Sequence, residues 1–467
     1  MQVQLLNKSL GGLVAVGLLG TALAADRPNF VLILADDLGY ADVGFQGCRD
    51  IPTPHIDSLA ATGVRFTSGY AAHPFCSPTR ASLMTGRYQH RFGYENNIAF
   101  DPQNPLMGLP LSEKTIPERL KAAGYTTGMV GKWHLGAAHP FHPNRRGFDF
   151  FHGFLGGGHD YFSVNLRQAM GEGYQVPIDH NGKPRDIDGY LTEDLTRAAV
   201  GFIRSRSGGP FFLYAAYNAP HTPMQAPKER LDRFAAIQNP RRRTYAAMVS
   251  ILDDGVGEIL SALEAGGVRD NTIVCFLSDN GGPTQSNGSN NDPLRGAKGS
   301  VFEGGIRVPF VVSWPARLPQ GAVYSHPVIS HDLSVTALAV AGIPESETRT
   351  LDGVNLVPHL LDPGLKPPHE ALFWRMNGGS AWAARAGDWK LLQTGANAAP
   401  NLYNLADDLS EARDRTEGPA LEADPAARLR MRFDQWNQGN RPPFFPGYRE
   451  YHEVKNKFYR ELIGGAD

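Results

Sequence analysis

Four long apolar runs set the rhythm of this chain, and each stops at a cluster of polar residues. NFVLILADD ends at Asp36 and Asp37. YTTGMVGKWH ends at Lys132 and His134. PFFLYAAYNAPH ends at His221, and TIVCFLSDNGG carries Asp279 and Asn280 near its end. Runs that stay apolar, rather than alternating with polar residues, predict strands buried on both faces, as in a parallel sheet covered by helices. Helical patterns lie between them. TPHIDSLAATG opens on Thr-Pro and stops at a glycine, and TIPERLKAAG has the same grammar. In RRRTYAAMVSILDDGVGEILSALEAGG, Met248, Ile251, Leu252, Ile259 and Leu263 recur at helical spacing. The alternation predicts an α/β fold, a large mixed, mostly parallel sheet sandwiched by helices. Open sheets of this kind bind ligands beyond the carboxyl ends of their strands, so the four runs would deliver their polar ends to one crevice.

Two stretches break the pattern. After about residue 345 prolines and turns dominate, then short strand-like pieces such as ALFWRM, WAARAGDWKLLQ and NLYNL precede a helical pattern in PAARLRMRFDQWNQG. Residues 346–467 therefore read as a smaller α+β subdomain beside a larger domain over 25–345. At the other end, Lys8 precedes a Gly-rich apolar run from Leu10 to Leu19, and Ala22-Leu23-Ala24 fits a small-x-small cleavage site. Residues 1–24 are thus an expected signal peptide and the mature protein periplasmic or secreted, with no membrane attachment after cleavage. An uncleaved anchor is the alternative, but the run is short for a bilayer span.

Composition adds two limits. A net charge of −2 provides no field to recruit nucleic acid or a membrane surface, so an anionic substrate must meet a local basic cluster. Three cysteines cannot all pair. Cys275 sits within an apolar run and reads as core, and Cys48 as a loop residue. Cys76 lies in HPFCSPTRASLMTGR, a stretch that looks exposed and polar.

The polar ends suggest chemistry. Asp36, Asp37, Asp279 and Asn280 are hard oxygen donors that suit Ca²⁺ or Mg²⁺, although Asp and Asn also cap turns. Lys132 and His134 are two apart, which on a strand places them on one face. Arg80 follows Cys76 by four, so a helical turn would bring both to one point. With His221 and with Lys298 in the glycine-rich LRGAKGSVFEGG, these residues describe a metal ringed by cations. Such a site binds a tetrahedral oxyanion and stabilises charge developing on it. A Cys76 thiolate is one candidate nucleophile, but hard metals prefer oxygen to sulfur. Asp253-Asp254 falls mid-helix and reads as surface or support, and Arg241-Arg242-Arg243 as a solvated helix start.

CSPTRASLMTGR resembles the signature of the type I sulfatases, members of the alkaline-phosphatase-like superfamily, which begins Cys-x-Pro-Ser/Thr-Arg and closes on Thr-Gly-Arg. GYTTGMVGKWHLG resembles their second signature, and LSDNGG and LRGAKGSVFEGGIRVPFVVSWP match further blocks in the same order. The resemblance implies that Cys76 is oxidised by a formylglycine-generating maturation enzyme to Cα-formylglycine, whose hydrate is an oxygen nucleophile and a metal ligand. It implies Asp36, Asp37, Asp279 and Asn280 as ligands of Ca²⁺, with Mg²⁺ as the alternative. Arg80 would stabilise the diol, Lys132 and Lys298 would hold sulfate, His134 would deprotonate the second hydroxyl, and His221 with Lys298 would serve the leaving oxygen. The implied activity is hydrolysis of sulfate esters. A phosphatase or phosphonate hydrolase of the same superfamily, or a non-catalytic binder of sulfated glycans, are the rival readings. Export and the aromatic-rich RRGFDFFHGFLGGGHDYF favour a sulfated carbohydrate, with His159, Asp160 and Tyr161 expected to touch the sugar and Trp374, Arg375 and Asn377 expected to form a further wall.

Overall fold

Strand β1 (Asn29–Ala35) is buried at every position because its two faces enter two different cores. Phe30, Leu32 and Leu34 point into one, and Val31, Ile33 and Ala35 into the other. That double burial is why the run carries no polar alternation. The computed structural model describes residues 27–164, 174–206, 208–416 and 424–446, with positions 450 and 453. The expected signal peptide lies outside them.

The main sheet has ten strands. Their order is β11 (Ala322–Tyr324), β2 (Val64–Phe66), β10 (Phe310–Ser313), β9 (Thr272–Ser278), β1, β8 (Phe211–Ala216), β4 (Thr126–Lys132), β5 (Phe150–Phe154), β6 (Ile178–His180) and β7 (Lys183–Arg185). The five central strands, β9 to β5, run parallel. Antiparallel pairing at β10 and at β6–β7 makes the sheet mixed. A small ribbon joins β3 (Gly69–Tyr70) to β12 (Val328–Ile329).

Helices Leu191–Arg204 and Pro240–Ala265 cover one face of the sheet, through Leu195, Tyr245, Met248, Leu252 and Ile259 among others. Helices Cys76–Thr85, Ile116–Ala122 and Asp332–Val340 cover the other. Ile116–Ala122 begins with a capping box, Thr115 accepting from Glu118 N while the Glu118 carboxylate accepts from Thr115 N. Cys275 is core, as expected. Asp253 takes the supporting place of the two expected: it is buried, and its carboxylate accepts the N–H groups of His55 (3.3 Å) and Ile56 (2.8 Å), tying the long helix to the start of Pro54–Ala61. Arg242 is likewise more than solvated, pairing with Asp42 (2.6 Å) and Asp50 (2.7 Å).

The C-terminal region folds as an antiparallel sheet, β13 (Leu372–Met376), β14 (Ala381–Ala386), β15 (Trp389–Gln393) and β16 (Asn401–Asn404), backed by helix Pro425–Gln438. Trp382 stacks on Phe433 with centroids 4.3 Å apart. This third core also takes in Tyr70, Tyr88 and Ile306 from the first region, so the two regions are packed together through apolar surface. Leu356 and Leu360, beyond residue 345, still belong to a core of the main sheet.

Candidate active site

The carboxyl ends of β1, β9, β4 and β8 meet at the amino end of helix Cys76–Thr85. The helix opens with Phe75 extended (φ −136°, ψ 152°) and closes on Gly86 in the left-handed region at φ 71°. Every residue of this polar decapeptide is buried, contrary to the exposed stretch expected from sequence. It is polar because its burial is among polar partners. Ser77 Oγ donates to His134 O (2.6 Å), and Ser77 N to Asn97 Oδ1 (2.9 Å). Thr79 Oγ1 donates to His73 O (2.7 Å), and Ser82 Oγ to Arg87 O (2.7 Å). Arg80 donates through Nε (3.0 Å) and Nη2 (2.9 Å) to Asp279 Oδ2, and through Nη1 to Lys132 O (2.9 Å).

Asp36 and Asp37 follow β1 at once, and the chain bends there, with Asp37 at φ 65°. Asp37 N donates to Asp279 Oδ1 (3.3 Å), and Asn280 Nδ2 to Asp37 Oδ1 (2.7 Å). Lys132, the last residue of β4, places Nζ 2.5 Å from Asp36 Oδ2. Lys298 Nζ lies 2.7 Å from Asp37 Oδ1 and 3.2 Å from Cys76 Sγ. His134 lies beyond the strand at φ 56°, so a backbone bend rather than the strand's two-residue repeat aims it at the site.

These contacts set proton positions. Burial alone would raise the Asp36 carboxyl, but Lys132 foremost, then His221, Arg80 and Lys298, hold it well below the usual carboxylate range. Burial and the neighbouring Asp279 and Asp36 push the Cys76 thiol far up. The protonated thiol is thus favoured, its Sγ donating to Asp36 Oδ1 (3.3 Å), and a thiolate nucleophile suits this setting poorly. Burial, then Lys132 and Arg80, hold His134 well below the ordinary histidine range. Its Nε2 donates to Ile98 O (3.3 Å), which leaves Nδ1 as a buried lone pair with no partner among the described residues. His221 Nδ1 donates to Thr222 O (2.7 Å), leaving Nε2 3.5 Å from Asp37 Oδ2.

Donor atoms of Asp36, Asp37, Cys76 and His221 lie within 4.8 Å of one another. Asp279 adjoins this group with Oδ1 turned to Asp37 and Oδ2 to Arg80. Asn280 Oδ1 is buried and has no hydrogen-bond partner among the described residues. A cluster of buried carboxylates beside a spare amide oxygen fits a hard divalent cation.

A cavity of about 280 Å³ opens over the site, lined by Cys76, Asn97, Ile98, Phe100, His134, Gly157, Tyr174 and His221. Asn97, Ile98, Phe100 and Tyr174 carry no sign of this in the sequence; they sit in loops without periodicity or motif, and only the hydrogen bond from Ser77 to Asn97 betrays the first of them. The expected sugar contacts fare differently. His159 is fully buried, its ring nitrogens 2.6 Å from Asp160 O and 2.7 Å from Val176 O. Tyr161 is also fully buried, its hydroxyl shared between Asn218 O (2.8 Å) and His221 O (2.9 Å). Neither lines the cavity, and their polar atoms are already engaged by the backbone. Asp160 is partly exposed, but its carboxylate takes Phe162 N, Ser163 N and Gln225 Nε2. Trp374 faces the core with Nε1 on Ala71 O (2.8 Å), Arg375 pairs with buried Glu95, and neither they nor the exposed Asn377 line the cavity. A hollow of about 420 Å³ at the opposite ends of the strands, beside Asn29 and Phe211, holds none of these groups.

A family model described as Sulfatase matches residues 28–343. N-acetylgalactosamine-6-sulfatase of Mus musculus is 39% identical over 370 residues, which are 75% of this chain and 69% of that protein. Arylsulfatase J of Mus musculus is 37% identical over 382 residues, 79% of this chain and 62% of that protein. The crystal structure of Ps i-CgsB in complex with k-i-k-neocarrahexaose is 40% identical, with a TM-score of 0.84 over 93% of this chain and 97% of that one.

Proposed function

Because the chain belongs to the sulfatase family and is a sulfuric ester hydrolase, we propose that it releases sulfate from a sulfated saccharide with a formylglycine made from Cys76. The observation that carries this reading is the setting of Cys76. It stands at the head of a buried helix, between Lys298 and Asp36, where burial and the neighbouring carboxylates push its thiol up and disfavour the thiolate. An oxygen nucleophile suits a site of hard donors; a thiolate does not. Asp36, Asp37, Asp279 and Asn280 would hold the cation, Ca²⁺ or Mg²⁺. When bound, it supplies Lewis-acid polarisation of a sulfate oxygen and of the nucleophile. Formylglycine at position 76 would supply a hydrated aldehyde, with one hydroxyl to attack and a second to release the ester.

The remaining steps belong to side chains. Lys132 and Lys298 place ammonium groups on the site, where they would hold sulfate oxygens and oppose charge that grows as the ester bond breaks. Arg80 fixes Asp279 and the end of β4 with one guanidinium, so ligand and cation move as a unit. His134 would accept the second hydroxyl's proton at Nδ1. His221 and Lys298 would serve the leaving oxygen.

The cavity admits a sugar-sized group and offers aromatic walls in Phe100 and Tyr174 with an amide in Asn97. The neocarra-oligosaccharide carried by the structural neighbour and N-acetylgalactosamine 6-sulfate, from the curated relative, are the first substrates to try. We place the protein in the periplasm or outside the cell, on the strength of its leader. Among the described residues no helix is long and apolar enough to cross a membrane.

The test is mass spectrometry of the tryptic peptide Phe66–Arg80 from protein made in its native host, followed by sulfate release from those saccharides. An aldehyde in place of the thiol, with turnover, is the expected result. An unmodified thiol in exported protein would sink the mechanism and favour a glycan-binding role.

A further inference from the structure

Lys298 sits on a loop with no regular structure, between an exposed Arg295 and the short helix Glu303–Ile306. Its own backbone is weakly held, with Lys298 N 3.5 Å from Gly282 O. The loop is instead closed at its ends, where Gly304 N donates to Arg295 O (2.7 Å), and pinned in between by Gly299 N to Pro74 O (2.9 Å) and by Asn291 Nδ2 to Gly296 O (3.4 Å). One residue of the C-terminal region grips both ends. Glu411 O accepts from Arg295 Nη1 (2.9 Å), and Glu411 Oε2 accepts from Glu303 N (2.7 Å).

Glu411 is itself held firmly. It is fully buried, and its Oε1 forms an ion pair at 2.8 Å with Lys390 Nζ, whose hydrogen bond goes to Glu303 Oε1 (2.8 Å). Tyr70 OH (2.6 Å) and Arg307 Nη1 (3.2 Å) complete the shell of Glu303. Glu411 adopts φ 51°, a left-handed conformation that a non-glycine residue keeps only when its surroundings impose it. A strained, buried glutamate that bonds both ends of a ten-residue loop is an expensive way to join two regions that already share an apolar core.

We propose that Glu411 is a positioning residue for catalysis: it clamps the loop 295–304 so that Lys298 Nζ is held against the reacting centre. This rests on the role given to Lys298 at the leaving oxygen. The C-terminal region is on this view a part of the catalytic apparatus, with Lys390 and Glu303 as the anchor of the clamp.

The role predicts a signature that simple destabilisation lacks. A misplaced Lys298 weakens charge stabilisation at the leaving oxygen, and that matters most when the leaving group is poor. Turnover of 4-nitrophenyl sulfate and of phenyl sulfate, which differ in the leaving group, would be compared for wild type, Lys298→Ala, Glu411→Ala, Glu411→Gln and Arg295→Met. Amide hydrogen exchange would be followed in peptides covering 295–304. Lys298→Ala should lower kcat on phenyl sulfate at least about tenfold more than on the nitrophenyl ester, within the range of proton-transfer effects. Glu411→Ala should repeat that skew with KM nearly constant and with faster exchange in the loop. Glu411→Gln, which keeps an oxygen for Glu303 N–H, should recover most of the loss. Arg295→Met, at the surface, should show the same skew to a smaller degree even if Glu411→Ala does not fold.

If Lys298→Ala shows the skew while Glu411→Ala and Arg295→Met lose activity equally on both esters, or not at all, the clamp is refuted. If Lys298→Ala shows no skew, it is the role of Lys298 that fails. The clamp then stands or falls on exchange: faster exchange of 295–304 in Glu411→Ala supports it, and unchanged exchange overturns it.

Discussion

Substituting Gly157 by alanine should slow the enzyme without unfolding it. Gly157 has an ordinary backbone conformation, so alanine adds no strain there; its one addition is a methyl group. That carbon would lie 2.9 Å from both Cε1 and Nε2 of His134. Carbon contacts settle near 3.5–4.0 Å, so the ring must retreat by roughly 0.6 Å. It has little room to do so, because Nε2 is bonded to Ile98 O and the residue sits at φ 56°. A misplacement of about 1 Å in a reacting group costs about 10²-fold, so kcat for 4-nitrophenyl sulfate should fall roughly 10- to 100-fold. Overpacking of this kind costs about 1–3 kcal/mol, a loss of a few degrees in the thermal midpoint. The neighbouring glycine is the control. Alanine at Gly158 would meet the far end of the Tyr174 ring, Cζ at 2.7 Å and the hydroxyl at 2.8 Å. A phenol on a loop can swing aside, so Gly158→Ala should change KM and leave kcat within a few-fold. If Gly157→Ala kept kcat within twofold of wild type, or if the two variants behaved alike, His134 would not be the fixed base that the mechanism requires.

Three more expectations can be checked on stability alone. Burial pushes the Asp253 carboxyl up to about 6 from an ordinary 3.8, so ionisation burdens the folded state. Stability should fall as pH rises from about 4 to about 6 and level off above, by at most about 3 kcal/mol, and Asp253→Asn should erase that slope in thermal melts; a gap between variant and wild type that is constant with pH would refute it. Arg80→Met leaves Asp279 and Asp36 buried without their nearest guanidinium, and should cost about 3–5 kcal/mol by urea denaturation, far more than a surface arginine. Removing divalent cations with EDTA should lower the thermal midpoint and Ca²⁺ should restore it, by about 2.7 kcal/mol at a hundredfold excess over Kd, with the restoration lost in Asn280→Ala.

That these residues would gather at one candidate site was legible in the sequence because strand ends are fixed by chemistry that has a pattern. The apolar runs of β1, β4, β8 and β9 announced themselves by double burial, and residues at the carboxyl end of such a strand in an α/β sheet have to face the crevice. Cys76 and Arg80 were legible through helical spacing. The pocket walls were not. His159, Asp160 and Tyr161 looked like sugar contacts because aromatic and polar residues cluster there. Yet an aromatic-rich loop packed under a site has the same composition as one lining it, and only the hydrogen bonds to Val176 O and Asn218 O tell them apart. Asn97, Phe100 and Tyr174 carry no local signal, since loop residues reach a cavity through tertiary contacts. The link from Glu411 to the Lys298 loop spans more than a hundred residues, and a lone glutamate in DLSEARD gives no hint of it.

The burial of helix Cys76–Thr85 imposes an order in time. No second protein can grasp a segment whose every residue is covered, so on the proposed function an enzyme that oxidises Cys76 would have to meet it before the chain closes. The strands that bury the helix find their partners late: Leu32 of β1 pairs with Tyr214 and with Cys275, well over a hundred residues downstream. Such long-range parallel pairing is slow to form. The same topology that brings four strand ends together therefore holds open an interval in which residue 76 is accessible. Yield of modified protein should then depend on a race between oxidation and folding, and a host that speeds folding without more of the oxidising enzyme would make a well-folded, inert protein.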